Sequence, residues 1–164
     1  RASSQRHAVA QHSLAMCFAK GTGINKDKHE AVTWFQAAAD QGYAPAQFSL
    51  GMCYFKGTGS QGDRGQAVNW FHRAADQNHA TAQLYLAKCY MAGEGVEKSV
   101  AEAVQWYKLA VNGGNADAQY QLGLMYQNGI GVERNEEEAV DLFQMAAEQG
   151  HPQAKSALSK CSIQ

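Results

Sequence analysis

No stretch of the chain approaches the roughly 20 consecutive apolar residues that a membrane-spanning helix requires, and no basic-then-apolar start resembles a secretory signal. Neither sign of charge is in excess. The 14 Lys and Arg against 15 Asp and Glu leave a formal charge of −1, and the basic residues are scattered rather than striped, so the electrostatic footprint of a nucleic-acid binder is missing. Paired Cys-x-x-Cys and His-Glu-x-x-His spacings are also lacking. His7, His12, His29, His72, His79 and His151 are therefore read as surface imidazoles rather than metal ligands, and neither a metal nor a cofactor is expected. His79 and His151 share a junction position where a turn residue tolerates exposure. The chain opens on Arg1 rather than Met, so a mature product or an excised piece is expected.

What the chain has in abundance is a repeat. Stepping by 36 residues aligns Ala10, Ala46, Ala82, Ala118 and Ala154, then Leu14, Leu50, Leu86, Leu122 and Leu158, with no insertion or deletion. The same step aligns Phe18 with Tyr54, Tyr90 and Tyr126, and two glycines per unit, Gly21 and Gly23 onward. A fixed period of this length means stacked units, each burying its apolar face on its neighbours. Cys17, Cys53, Cys89 and Cys161 all occupy one repeat position, with Met125 in the remaining slot, which reads as a small apolar core site. Equivalent atoms in stacked repeats lie ~8–10 Å apart, too far for a disulfide. Four free, mostly buried thiols are expected, and a reducing compartment such as the cytoplasm is the simpler setting.

Within a unit, Ala10, Leu14, Cys17 and Phe18 fall at helical spacing on one face. A small residue at Ala15, Gly51, Ala87 and Gly123 leaves room for a close approach. Lys-Gly-Thr-Gly ends this first helix, and a second begins at Asp27. Asp27 with Glu30, Asp63 with Gln66, Ser99 with Glu102, and Asn135 with Glu138 each fit a capping box. The second helix carries Ala31, Val32, Trp34, Phe35, Ala38 and Ala39 and ends at Gly42, Asn78, Gly114 or Gly150. The acidic run Glu136, Glu137 and Glu138 is the first turn of such a helix, where negative charge complements the dipole. Gly57-Thr58-Gly59-Ser60-Gln61-Gly62 matches a dinucleotide fingerprint, but it joins helix to helix where that motif needs a strand. The organisation is a polar leader over 1–6, four helix–turn–helix repeats over 7–43, 44–79, 80–115 and 116–151, and a capping helix over 152–164, with the first helix starting near His7. No comparable polar cap precedes the first repeat, so further repeats are expected upstream.

The unit A-x-A-Q-x-x-L-G-x-x-Y-x-x-G-x-G-V followed by A-x-x-W-F-x-x-A-A-x-x-G resembles the Sel1-like repeat, a relative of the tetratricopeptide repeat, over residues 7–161. Departures are mild: Ser60 stands where valine is usual, Gly62 and Gly65 loosen the second turn, and Leu142 replaces tryptophan. The resemblance implies an all-α, right-handed α/α solenoid that acts as a non-enzymatic adaptor for a protein or peptide partner. Some cysteine-rich relatives are linked to penicillin binding or hydrolysis, which makes recognition of a cell-wall or β-lactam-like molecule the alternative. Their cysteines come in pairs within a unit, whereas this chain has one per unit. It also lacks Ser-x-x-Lys, Ser-Asp-Asn and Lys-Thr-Gly elements, Lys20-Gly21-Thr22-Gly23 being a near miss that belongs to a turn.

The resemblance also implies that the first helix of each unit lines the concave face. The variable positions beside its core face are His12, Met16 and Lys20, then Phe48, Met52, Phe55 and Lys56, then Leu84, Lys88 and Met91, then Tyr120, Leu124 and Gln127. They describe a largely apolar groove with basic residues, suited to an amphipathic helix or extended segment of some acidic character, with Phe48, Phe55, Leu84 and Tyr120 as anchors. The plainer reading is that some of these side chains pack between neighbouring repeats. Self-association through the N-terminal repeat, where Phe18, Trp34 and Phe35 would leave apolar surface open, is a further expectation.

Overall fold

The computed structural model describes residues 2–161, with side chains from 6 to 159. Among the described residues every regular element is a helix: α1 (Ala2–Lys20), α2 (Lys28–Ala39), α3 (Ala44–Lys56), α4 (Arg64–Ala75), α5 (Ala80–Ala92), α6 (Val100–Asn112), α7 (Ala116–Asn128), α8 (Glu136–Glu148) and α9 (Pro152–Cys161). Each helix packs on the next along the chain, most closely within the pairs α1–α2, α3–α4, α5–α6 and α7–α8. The result is an α/α solenoid of four hairpins followed by α9. Helix α1 starts at Ala2 rather than near His7, because the polar leader holds no glycine or proline to break it; Arg1 lies outside the described residues.

Each hairpin closes on a ring seated over a small residue. Gly51 and Gly123 are buried beneath Phe71 and Phe143, both 0 % exposed, and a Cβ at either glycine would sit 2.7 Å from the ring. Ala15 and Ala87, both fully buried, take the same position in the other two hairpins, with Phe35 and Tyr107 as the corresponding rings.

The turn after each odd-numbered helix is pinned at two places. Asp27, Asp63, Ser99 and Asn135 cap the even-numbered helices, their side chains accepting from Glu30, Gln66, Glu102 and Glu138 N–H. The other half of the expected capping box is not used. The cap residues' own N–H groups donate instead to the carbonyls of Phe18, Tyr54, Tyr90 and Tyr126, each at 3.0 Å, which ties the turn to the preceding helix. The second turn glycine then lies against the previous repeat: a Cβ at Gly59 or Gly95 would fall 2.1 Å from the Lys28 carbonyl oxygen or 2.3 Å from that of Arg64. Between units, Gly42, Asn78, Gly114 and Gly150 all adopt positive φ, Asn78 being the one non-glycine to do so among the described residues.

A glutamine ladder joins successive repeats. Gln47, Gln83 and Gln119 are buried at one repeat position; Gln47 and Gln83 donate to the carbonyls of Ala39 and Ala75 at the end of the preceding hairpin. Gln77 donates to Gln47 Oε1 at 2.7 Å and Gln149 to Gln119 Oε1 at 2.9 Å, while Gln41 does the same to Gln11. In the third repeat the rung is missing. Gly113 stands where a glutamine would reach back, and Gln83 Oε1 is buried without a partner. Gly113 itself approaches Ala80 so closely that a Cβ would meet Ala80 Cβ at 2.6 Å.

Replacing Gly51 with alanine separates the two roles of that residue. Helix propensity favours the change by about 1 kcal/mol, whereas overpacking a filled core costs about 1–3 kcal/mol. Since the Phe71 ring is fully enclosed, packing wins, and urea denaturation should show a net loss of about 1 kcal/mol. A raised midpoint would mean that the ring has room to move.

Candidate functional site

The candidate surface is the row of odd-numbered helices. The structure divides its expected residues into three kinds. Lys20, Lys56 and Lys88 are exposed. His12, Met16, Phe48, Met52, Phe55, Met91, Tyr120, Leu124 and Gln127 are half-buried. Leu84 is 2 % exposed and packs with Ala87, Val104 and Tyr107, so it is a core residue and not an anchor for a ligand.

Ring contacts explain why the half-buried positions are fixed. Phe48 stacks on His79 with centroids 5.1 Å apart, and Tyr120 stacks on His151 at 4.7 Å. His12 lies 5.5 Å from Tyr43 at the equivalent positions, but edge-on rather than stacked. Each pair links an odd-numbered helix to the residue that starts the next one. In the third repeat this pair is Leu84 and Asn115, with no ring on either side, and the smaller leucine sinks into the core.

The histidines correct the expectation of surface imidazoles. His79 Nδ1 accepts from Ala82 N–H and His151 Nδ1 from Ala154 N–H, each at 3.2 Å, capping α5 and α9 as Asn115 Oδ1 caps α7 at 2.9 Å. His151 is 9 % exposed, and its Nε2 lies 3.1 Å from an Asp117 carboxylate oxygen. His12 bonds to Ser49 Oγ at 3.1 Å, and His72 to the Tyr90 hydroxyl at 3.2 Å. These imidazoles are recruited because a junction buries one ring edge while offering a backbone donor or hydroxyl to the other. His7 and His29 are exposed, as expected.

One surface residue was missed by taking the first-helix positions one at a time. Tyr85 sits among Phe48, Phe55 and Phe71 at centroid distances of 5.5, 6.2 and 5.6 Å, with the Lys88 ammonium 5.4 Å above it. Its equivalents are Ser13, Ser49 and Gln121, so the period marks it as polar. Arg64 completes the cluster, its guanidinium 3.7 Å from the Phe55 centroid and 3.6 Å from Glu94.

Burial disfavours the thiolate at two of the cysteines. Cys17, Cys53 and Cys89 are free; Cys89 is buried, the other two half-buried, and Cys161 lies outside the residues with described side chains. Burial, with Glu94 adding, pushes the Cys89 thiol up to about 11, and burial raises Cys53 against the opposing pull of Lys56. At the N-terminal repeat Phe35 is 3 % exposed, so of the three residues expected to leave that end open only Phe18 and Trp34 are half-buried. Among the described residues no group of His, Cys, Asp and Glu is placed to hold a metal ion, and no helix is long and apolar enough to cross a membrane.

Stacked helical hairpins with a half-buried aromatic row define the class of α/α repeat solenoids. The Sel1 repeat model matches residues 8–43, 44–79, 80–115 and 116–151, and the chain belongs to that family. A Sel1 repeat protein from Oxalobacter formigenes is 38 % identical, superposes with a TM-score of 0.89 over 96 % of this chain, and has 62 % of its own length covered. The protective antigen c5321 of uropathogenic Escherichia coli is 33 % identical with a TM-score of 0.90, covering 98 % of this chain and 34 % of that protein. The chain thus spans less than two thirds of the first relative and about one third of the second. Helicobacter pylori cysteine rich protein B is more distant, 26 % identical with a TM-score of 0.65 over 81 % of this chain and 96 % of its own. No match was found among curated proteins. Sel1 repeat proteins are generally protein-interaction scaffolds.

Burial lowers the pKa of His12, His72 and His79 from the ordinary 6.5; at His72, Asp76 and Glu102 pull the other way. As pH falls below 6.5 the unfolded chain therefore takes up protons before the folded one. The stability these neutral rings contribute is full above that value and is lost as pH drops through the lower folded-state values. The melting temperature should fall by a few degrees between about pH 7.5 and about pH 5.5. His79→Asn, which installs the cap already used at Asn115, should shrink that fall. An unchanged pH profile in the variant would remove His79 from the effect.

Proposed function

We propose that this protein recruits a partner through the face of its odd-numbered helices, binding a peptide or protein segment that carries apolar anchors and acidic residues. The observation that carries the reading is the continuous cluster formed by Phe48, Met52, Phe55 and Tyr85 across the second and third repeats. Lys56 and Lys88 flank it, and Lys20 extends the basic character into the first repeat. Rings already held by their neighbours lose little freedom on binding, so their apolar surface is available at low entropic cost. Methionines at Met16, Met52 and Met91 let the surface adapt to the shape laid on it. The lysines select for carboxylates and speed encounter rather than supply most of the affinity.

This is a scaffold's mode of action and needs no catalytic group. No feature of the described residues favours the alternative of a cell-wall or β-lactam-like ligand. The partner-facing set is His12, Met16, Lys20, Phe48, Met52, Phe55, Lys56, Lys88, Met91, Tyr120, Leu124 and Gln127, with Tyr85 in place of the buried Leu84.

Selection of random peptides on the immobilised chain tests the proposal. Enriched sequences should combine Asp or Glu with apolar residues at helical or alternating spacing. Their affinity should drop about tenfold or more in a Met52→Ala, Lys56→Glu, Lys88→Glu variant whose circular dichroism is unchanged. Peptides without acidic residues, or binding indifferent to the triple variant, would place the partner elsewhere.

A further inference from the structure

The repeats are not equivalent on the side of the even-numbered helices. At the first two junctions a tryptophan of the later repeat packs back onto the earlier one: Trp70 joins the cluster of Phe35, Ala38 and Leu50, and Trp106 meets the His72 ring edge-on at 5.3 Å. His72 in turn bonds to Tyr90, which closes that junction. At the third junction the corresponding residues are Leu142, Lys108 and Tyr126. The indole is gone and so is the imidazole. A cleft of about 520 Å³ lies there, lined by Lys108, Tyr126, Val132, Glu133, Arg134 and Asn135.

The position of the cleft follows from helix geometry. Side chains on a helix lean toward its N-terminus, so a tryptophan at position 142 of α8 would lie back toward Asn135 and Tyr126. Leu142 and Tyr126 already pack on one cluster. We infer that this cleft is a second binding site, which accepts an aromatic side chain of a partner protein, best an indole, in the place that Trp70 and Trp106 fill at the other junctions. Two features of the chain argue for that occupant. Its own tryptophans show the shape that the junction of two repeats accommodates. The rim also supplies cations to a ring face, as Arg73 does for Trp70 with its guanidinium 4.4 Å from the centroid. Lys108 is exposed and carries that role here; Arg134 is held by Glu136. None of the lining residues belongs to the proposed partner groove, so the two sites stand or fall separately.

N-acetyl-tryptophanamide, which is uncharged and carries the ring alone, is the probe. Titrated into the 164-residue chain and followed by amide NMR, it should shift the signals of Lys108, Tyr126, Val132 and Glu133 saturably, with a dissociation constant on the order of a millimolar. Leu142→Trp should abolish those shifts by filling the cleft from within. Because that variant adds bulk to a packed position, Lys108→Ala provides a second test at an exposed one: it removes the cation from the ring face and should weaken binding at least threefold. Absence of saturable shifts at these amides, or equal binding by a folded variant, overturns the site. If Leu142→Trp does not fold, Lys108→Ala decides alone.

Discussion

The seating of one aromatic ring over one small residue in every hairpin is the constraint from which the rest of the array follows. Phe71 over Gly51 and Phe143 over Gly123 leave no space for even a methyl group, and this sets how closely the two helices of a hairpin approach. That approach brings each even-numbered helix to where its cap residue can donate to the carbonyl of Phe18, Tyr54, Tyr90 or Tyr126. The turn geometry then carries Gly59 and Gly95 onto the preceding repeat. A hairpin so short would be marginal alone, and its apolar outer face is buried only by the next unit. Packing within the unit and stacking between units are therefore one problem solved by the same few residues.

Stacking is less uniform than the period suggests. The glutamine rungs and the ring pairs both run through the first, second and fourth repeats and both lapse in the third, where Gly113 replaces glutamine and Leu84 with Asn115 replaces a stacked pair. The lapse leaves Gln83 Oε1 buried and unpaired, a cost of about 1–3 kcal/mol by the usual measure of a buried orphan. The close approach of Gly113 to Ala80 gives back dispersion contacts at the same junction. The third repeat is thus held more by packing and less by polar bonds than its neighbours, and the cleft beside Lys108 follows it in the chain.

Much of this architecture was legible in the residues. The period, the two helices of a unit, the positive-φ residues between units, the cap residues and the small position beneath the ring each depend on local chemistry that a single copy displays. What was not legible depends on partners that lie outside the copy. Phe48 and Leu84 occupy the same repeat position and look alike as apolar groove residues. Their fates part because His79 follows one and Asn115 the other 31 residues later. His79 and His151 looked like exposed turn residues because nothing local announces that an imidazole will serve as a helix cap. Tyr85 looked polar because its equivalents are serine and glutamine. The capping boxes were half right for the same reason: the Asp27 N–H is claimed by a carbonyl on another helix, which no pattern of spacing within α2 can show.

This division bears on how a binding surface can be built on such a scaffold. Phe48, Phe55 and Tyr120 belong at once to the repeat stack and to the face proposed for a partner. Truncating them removes inter-repeat packing along with any ligand contact, so a loss of binding in such variants would not distinguish the two. Lys20, Lys56 and Lys88 contribute little to the fold, being exposed, and Met52 is flexible enough for its loss to be partly absorbed. Recognition can therefore diverge through the lysines and methionines while the rings stay fixed by their structural duty. A solenoid that pins its aromatic residues between repeats and keeps its lysines exposed has a preorganised apolar floor and a rim where substitution costs the fold least.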